Sequence, residues 1–208
     1  MNVIECRNLS HSFGKNKIYE KLNFNVPRGK VVGLLGKNGV GKSTTINILM
    51  GNLEPTSGEC LIFGENSNNL SANTKSRIGL LYEGYVTYDY LKIKDLYKLY
   101  EKEYAARFKK ELFFDLFKKL GISENQKIST LSCGQRSQVV LGLIFASDPD
   151  LLILDDYSLG LDTGYRRLFI DYLKKFIENK DKSVLMTTHI VNDLDELLDE
   201  ITIMRKGK

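Results

Sequence analysis

The chain has 208 residues, 42% hydrophobic and 27% charged, the composition of an ordinary folded domain and not of a disordered one. Its 30 basic and 26 acidic residues leave a net charge of only +4, which does not argue for nucleic acid, and no stretch approaches the ~20 apolar residues that cross a bilayer. Three cysteines without a CxxC pair indicate neither a disulfide frame nor a zinc site. Glu5 and Arg7 interrupt any signal-peptide pattern, so the cytoplasm is the expected compartment.

Residues 1–6 and 21–26 alternate or cluster apolar side chains like short strands. Pro27-Arg28-Gly29 reads as a turn, 30–35 as a short buried strand, 36–41 as a loop and 42–50 as a helix. Further strands are expected at 59–63 and 77–82. From residue 93 to 120 the spacing becomes helical (Leu96, Leu99, Tyr100, then Leu112, Phe113, Leu116, Phe117, Leu120), and 133–147 continues as a helix. Strand-like runs return at 151–154 and 183–187, followed by an acidic helix over 191–200. This alternation predicts an α/β core with a largely parallel sheet, built from about 1–83 and 149–208, and a mostly helical lobe inserted over about 84–148.

Gly36-Lys37-Asn38-Gly39-Val40-Gly41-Lys42-Ser43 matches GxxxxGK[ST] between a predicted strand and a predicted helix. The glycines let successive N–H groups turn inward toward phosphate oxygens, and the helix N-terminus adds partial positive charge. Lys42 would bridge the β- and γ-phosphates, and the Ser43 hydroxyl would ligate Mg²⁺, with Thr44 following in the same turn. Taken alone the motif indicates a bound nucleoside triphosphate; GTPases and some kinases share it.

Leu131-Ser132-Cys133-Gly134-Gln135 resembles the LSGGQ signature of ABC ATPases. It lies ahead of Leu151-Leu152-Ile153-Leu154-Asp155-Asp156, which looks like a Walker B strand. Gly160-Leu161-Asp162 is similar to the D-loop, and His189 stands after a strand as the switch histidine does. Phe13-Gly14 resembles the aromatic loop under adenine, Pro55-Thr56-Ser57-Gly58 is a further match, and Glu83 stands at the Q-loop position. This order, held over nearly the whole chain, identifies it as similar to ATP-binding subunits of ABC transporters. The resemblance implies a P-loop NTPase (RecA-like) core with an N-terminal antiparallel β region and an inserted α-helical subdomain. ATP and Mg²⁺ are the implied cofactors. Ser43, Asp155 and Glu83 would hold the metal, and Asp156, His189, Lys42 and Glu83 would act on the γ-phosphate and water. Phe13, the loop 37–44, Ser132, Gly134, Gln135 and Asp162 would bind nucleotide. The implied partners are a second copy of the chain or a related cassette, packed head to tail, and an integral membrane permease subunit that holds the protein at the inner face of the cell membrane.

Four positions depart from the pattern. Asp156 replaces the usual glutamate and is one methylene shorter, so slow but real hydrolysis is expected. Cys133 replaces a glycine, and Gln138 stands where many relatives carry a basic residue. Glu83 in place of glutamine is similar to cassettes of two-component exporters. Tyr82, Tyr85, Tyr88, Tyr90, Tyr97, Tyr100 and Tyr104 cluster in one segment, suited either to docking a membrane subunit or to the helical core. His11 receives no assignment. A regulatory cassette that closes on ATP with little hydrolysis is the rival reading. The soluble ABC ATPases of repair or translation would need inserted modules for which 208 residues leave no room.

Overall fold

Short alternating segments at the N-terminus extend into two long strands in the computed structural model, which describes residues 1–82, 88–156, 163–188 and 197–205. Strand β1 (Asn2–Phe13) folds back through Gly14 onto β2 (Asn16–Pro27), each longer than the apolar clusters indicate. A turn at 28–29 leads to β3 (Val31–Leu35), the phosphate loop and helix α1 (Lys42–Leu49). Strands β4 (Ser57–Ile62) and β5 (Glu65–Asn66) and a short helix α2 (Ala72–Ser76) precede β6 (Ile78–Leu81). The helical stretch then divides into α3 (Ile93–Tyr104) and α4 (Lys110–Leu120), broken at Ala105, whose φ of 30° leaves helical space. Helix α5 (Cys133–Ala146), β7 (Leu151–Asp155), α6 (Thr163–Glu178), β8 (Ser183–Thr188) and β9 (Glu200–Ile203) complete the chain.

These strands form two sheets. An antiparallel sheet runs β2-β1-β4-β5, and a five-stranded parallel sheet runs β6-β7-β8-β3-β9. The central parallel strands are buried on both faces, as their unbroken apolar runs require. One core lies between the two sheets around Ile4, Leu9, Tyr19, Ile46 and Ile62. A second lies on the other face of the parallel sheet beneath α5 and α6. A third joins α3 and α4 to α5 through Ile93, Leu96, Phe113, Val139 and Leu143. Helix α5 therefore walls two cores, with Leu141, Ile144 and Phe145 turned to one and Val139, Leu143 and Ala146 to the other, so it lacks a polar face.

One expectation needs correction and one helix was missed. Glu200 begins an edge strand and does not end a helix; residues 191–196 of that expected helix lie outside the described residues. Helix α6, which received no assignment, carries Phe169, Tyr172 and Leu173 into the second core. Where α3–α4 meets the sheet, Asp150 accepts from Arg77 Nε and Arg107 Nη2, each at 2.6 Å. Asp148 pairs with Lys109 at 2.9 Å and Lys182 at 2.7 Å.

Candidate functional site

Strand β3 lies between β8 and the edge strand β9, and its chain turns sharply through the glycine loop into α1. Gly41 sits at φ +106°, and a Cβ there would lie 2.6 Å from Ile18 Cγ2 and 2.8 Å from Tyr19 Cδ1. The antiparallel hairpin thus presses on the loop from outside, and only glycine fits the approach. The loop closes on itself: Lys42 Nζ donates to Gly36 O at 2.8 Å and to Lys37 O at 3.4 Å. This holds a buried ammonium at the entrance to α1, where the free N–H groups of the first helical turn already favour anions.

Strand β7 lies two strands away from β3, with β8 between them, and ends where the loop begins. Ser43 Oγ donates to Asp155 Oδ1 at 3.3 Å across 112 residues of sequence. Asp155 and Asp156 are both buried and face a cleft of about 370 Å³ together with Ile18, Asn38, Gly39, Gly41, Lys42, Ser43 and Thr44. A hydroxyl and a carboxylate in contact are two hard oxygen donors, the donor set that Mg²⁺ takes alongside phosphate and water. The residues present therefore fit a magnesium–triphosphate group.

Not every expected residue reaches this cleft. Val40 is turned into the core beside Gly36, and its N–H already bonds Lys37 O, so it offers the loop shape but no side chain. Lys37 is exposed and contributes its carbonyl to Lys42. Phe13 ends β1 with its ring 53% exposed, available to a flat ligand, and His11 packs against it with centroids 4.6 Å apart. His11 is itself buried, with neither ring nitrogen hydrogen-bonded. Glu83, Asp162 and His189 lie outside the described residues.

The signature segment stands apart from the cleft. Ser132 caps α5 in a reciprocal box: Gln135 N donates to Ser132 Oγ at 3.2 Å, and Ser132 N donates to Gln135 Oε1 at 3.0 Å. The Gln135 carbonyl oxygen is thereby turned to its own helix. Ser132 and Cys133 are exposed, but Gly134 is buried against α6; a Cβ there would lie 2.4 Å from Tyr165 Cδ2. Gln138, whose replacement of a basic residue has no effect legible in sequence, is buried and donates to Tyr165 O at 3.1 Å.

Three residues went unnoticed in the sequence as parts of this site. Ile18 lines the cleft from β2, and no motif marks it. Tyr82 accepts from Asn52 Nδ2 at 2.7 Å and donates to Asn47 Oδ1 at 3.4 Å, and Asn47 Nδ2 donates to Ser43 O at 2.9 Å. The segment entering Glu83 is thus tied to α1; burial, with a smaller contribution from Asp155, pushes the Tyr82 hydroxyl pKa up. Thr187 stands opposite Asp155 in the β7–β8 register.

The family described as ABC transporter matches residues 19–158. The chain is 30% identical over 212 residues to the uncharacterized ABC transporter ATP-binding protein YhcH of Bacillus subtilis (strain 168), covering 99% of this chain and 68% of that protein. It is also 30% identical over 223 residues to the probable multidrug ABC transporter ATP-binding protein YbhF of Escherichia coli (strain K12), covering 99% of this chain and 36% of that protein. A solved structure of an ATP binding subunit of an ABC transporter superposes with a TM-score of 0.86 at 25% identity, covering 99% of this chain and 87% of that one.

Proposed function

The chain belongs to the ABC transporter family, as an ATP-binding subunit, and on that premise we propose that it hydrolyses ATP between two copies of itself to drive a membrane exporter. The observation that carries this reading is the single cleft in which Lys42, Ser43, Asp155 and Asp156 meet. The loop N–H groups and Lys42 hold the β- and γ-phosphates, and Phe13 stacks on the base. Ser43 and Asp155 would hold Mg²⁺, which when bound would neutralise charge on the triphosphate. Asp156 orients the attacking water and takes its proton; Glu83 and His189 are assigned to the same end of the site by the family pattern. Ser132 and the first-turn N–H groups of α5 form a capped anion site that does not line this chain's own cleft. It serves a partner's γ-phosphate, so two copies pack head to tail and ATP becomes part of their interface.

Export is favoured by the multidrug relative and by Glu83 at the Q-loop position. No helix among the described residues is long and apolar enough to cross a membrane. The family pattern assigns the membrane path to a separate permease subunit. The chain divides into a core lobe (about 1–83 and 149–208) and a helical lobe (about 84–148) that carries the signature, a reading supported by the third core. Exposed Tyr88 and Tyr90, packed edge to face at 6.2 Å, offer the helical lobe a docking point.

The test is phosphate release from ATP and Mg²⁺ by the purified chain, with sedimentation in the same buffer. Turnover that vanishes in Lys42→Ala, and dimers that form with ATP and dissociate with ADP, are expected. A chain that binds ATP and dimerises but releases no phosphate supports the second reading, a regulatory switch, which the short Asp156 favours.

A further inference from the structure

Asp155 and Asp156 are joined through one side chain that no motif marks. Thr187 is fully buried in β8, and its Oγ1 lies 2.7 Å from Asp155 Oδ1 and 3.0 Å from Asp156 N. A threonine hydroxyl has one proton and two lone pairs. The carboxylate takes the proton and the Asp156 N–H occupies a lone pair, so the two bonds are made together without competition. The first fixes the rotation of Asp155, whose Oδ1 also receives Ser43 Oγ at 3.3 Å. The second pins the backbone where Asp156 turns to φ +43°, left-handed space that a side-chain-bearing residue rarely occupies.

From this geometry we propose that Thr187 is a positioning residue that sets the Mg²⁺-binding carboxylate and the water-activating carboxylate relative to each other. This rests on the reading of the cleft given above. Valine has the same shape and the same preference for a strand, yet neither donates nor accepts. Thr187→Val removes the hydroxyl that bonds Asp155 Oδ1 and the oxygen that accepts from Asp156 N–H. Phosphate contacts made by Lys42 and the glycine loop are untouched.

The experiment compares wild type, Thr187→Val and Thr187→Ser by titration of a fluorescent ATP analogue with and without Mg²⁺, and by steady-state phosphate release. For Thr187→Val, affinity without Mg²⁺ should stay within about twofold, the half-saturating Mg²⁺ concentration should rise about tenfold, and kcat should fall about tenfold or more while KM for ATP barely moves. Thr187→Ser, which keeps the hydroxyl, should restore all three. Thr187→Ala provides the same comparison should the valine variant not fold. A valine variant that melts lower but matches wild type in Mg²⁺ requirement and kcat overturns the proposal, as does a serine variant as impaired as valine. If the wild type binds no nucleotide, the reading of the cleft falls and this inference with it. If the wild type shows Mg²⁺-dependent binding and valine shows the same, the inference alone falls.

Discussion

Replacing Asp156 by glutamate sets two effects of known sign against each other. The longer side chain adds one C–C bond, about 1.5 Å, toward a water that must sit within about 2.6–3.2 Å of its base. General-base help is typically ~10²–10⁴-fold; recovering the lower figure lowers the barrier by about 2.7 kcal/mol. Against this, position 156 is held at φ +43°, and left-handed backbone costs an ordinary L-residue about 1–2 kcal/mol, less for aspartate. Glutamate forfeits part of that relief, roughly 1 kcal/mol, which lowers Tm by about 2–4 °C in a chain of this size. Asp156→Glu should therefore turn over about ten- to a hundredfold faster while melting a few degrees lower. Asp156→Asn, equally at ease in left-handed space but without a basic oxygen, should lose tenfold or more in turnover with little change in Tm. Phosphate release at saturating ATP and Mg²⁺, with a thermal melt of each preparation, reads both effects. No gain with glutamate, or unchanged turnover with asparagine, refutes the assignment of Asp156 as base.

Ser132→Ala should lower stability by about 1 kcal/mol through the lost cap and also abolish ATP-driven dimerisation. A variant that melts lower yet still dimerises with ATP would leave Ser132 a cap and nothing more. Gly134→Ala should destabilise by about 1–3 kcal/mol because its methyl meets the Tyr165 ring, and the effect should shrink in a Tyr165→Ala background; equal effects in both backgrounds would exclude that clash as the cause. Burial works to raise the Asp148 and Asp150 pKa values, but ion pairs with Lys182 and Lys109, and with Arg77 and Arg107, outweigh it and hold both below the usual range. Their contribution to stability is thus present above about pH 4 and lost as pH falls through the lower native values. The acid limb of Tm against pH should flatten in Asp148→Asn; an unchanged limb would show that other carboxylates govern it.

The phosphate loop, the strand ending in Asp155 and the helix behind Ser132 were legible because each is a local signal: a glycine spacing, an apolar run closed by acids, a cap three residues ahead of glutamine. What escaped reading depends on distant partners. Ile18 reaches the cleft because the hairpin folds over Gly41, and Thr187 matters only once β8 lies beside β7. The contact between Gly134 and Tyr165 joins α5 to a helix that received no assignment. That omission was avoidable, since Phe169, Tyr172, Leu173 and Phe176 recur at helical spacing. The break between α3 and α4 escaped because apolar spacing continues across Ala105, while the backbone there does not.

The strand order of the parallel sheet has a consequence for how the protein comes off the ribosome. Strand β3 is made before both of its neighbours, β8 and β9; Val31 pairs with Val184, 153 positions later (184 minus 31). At about 5–20 residues per second, the glycine loop waits roughly 8–30 s on a strand with neither flank covered. A nascent chain halted before residue 183 therefore carries an exposed β3 and has no means of closing its nucleotide cleft, so such fragments should be protease-sensitive and gain no protection from ATP.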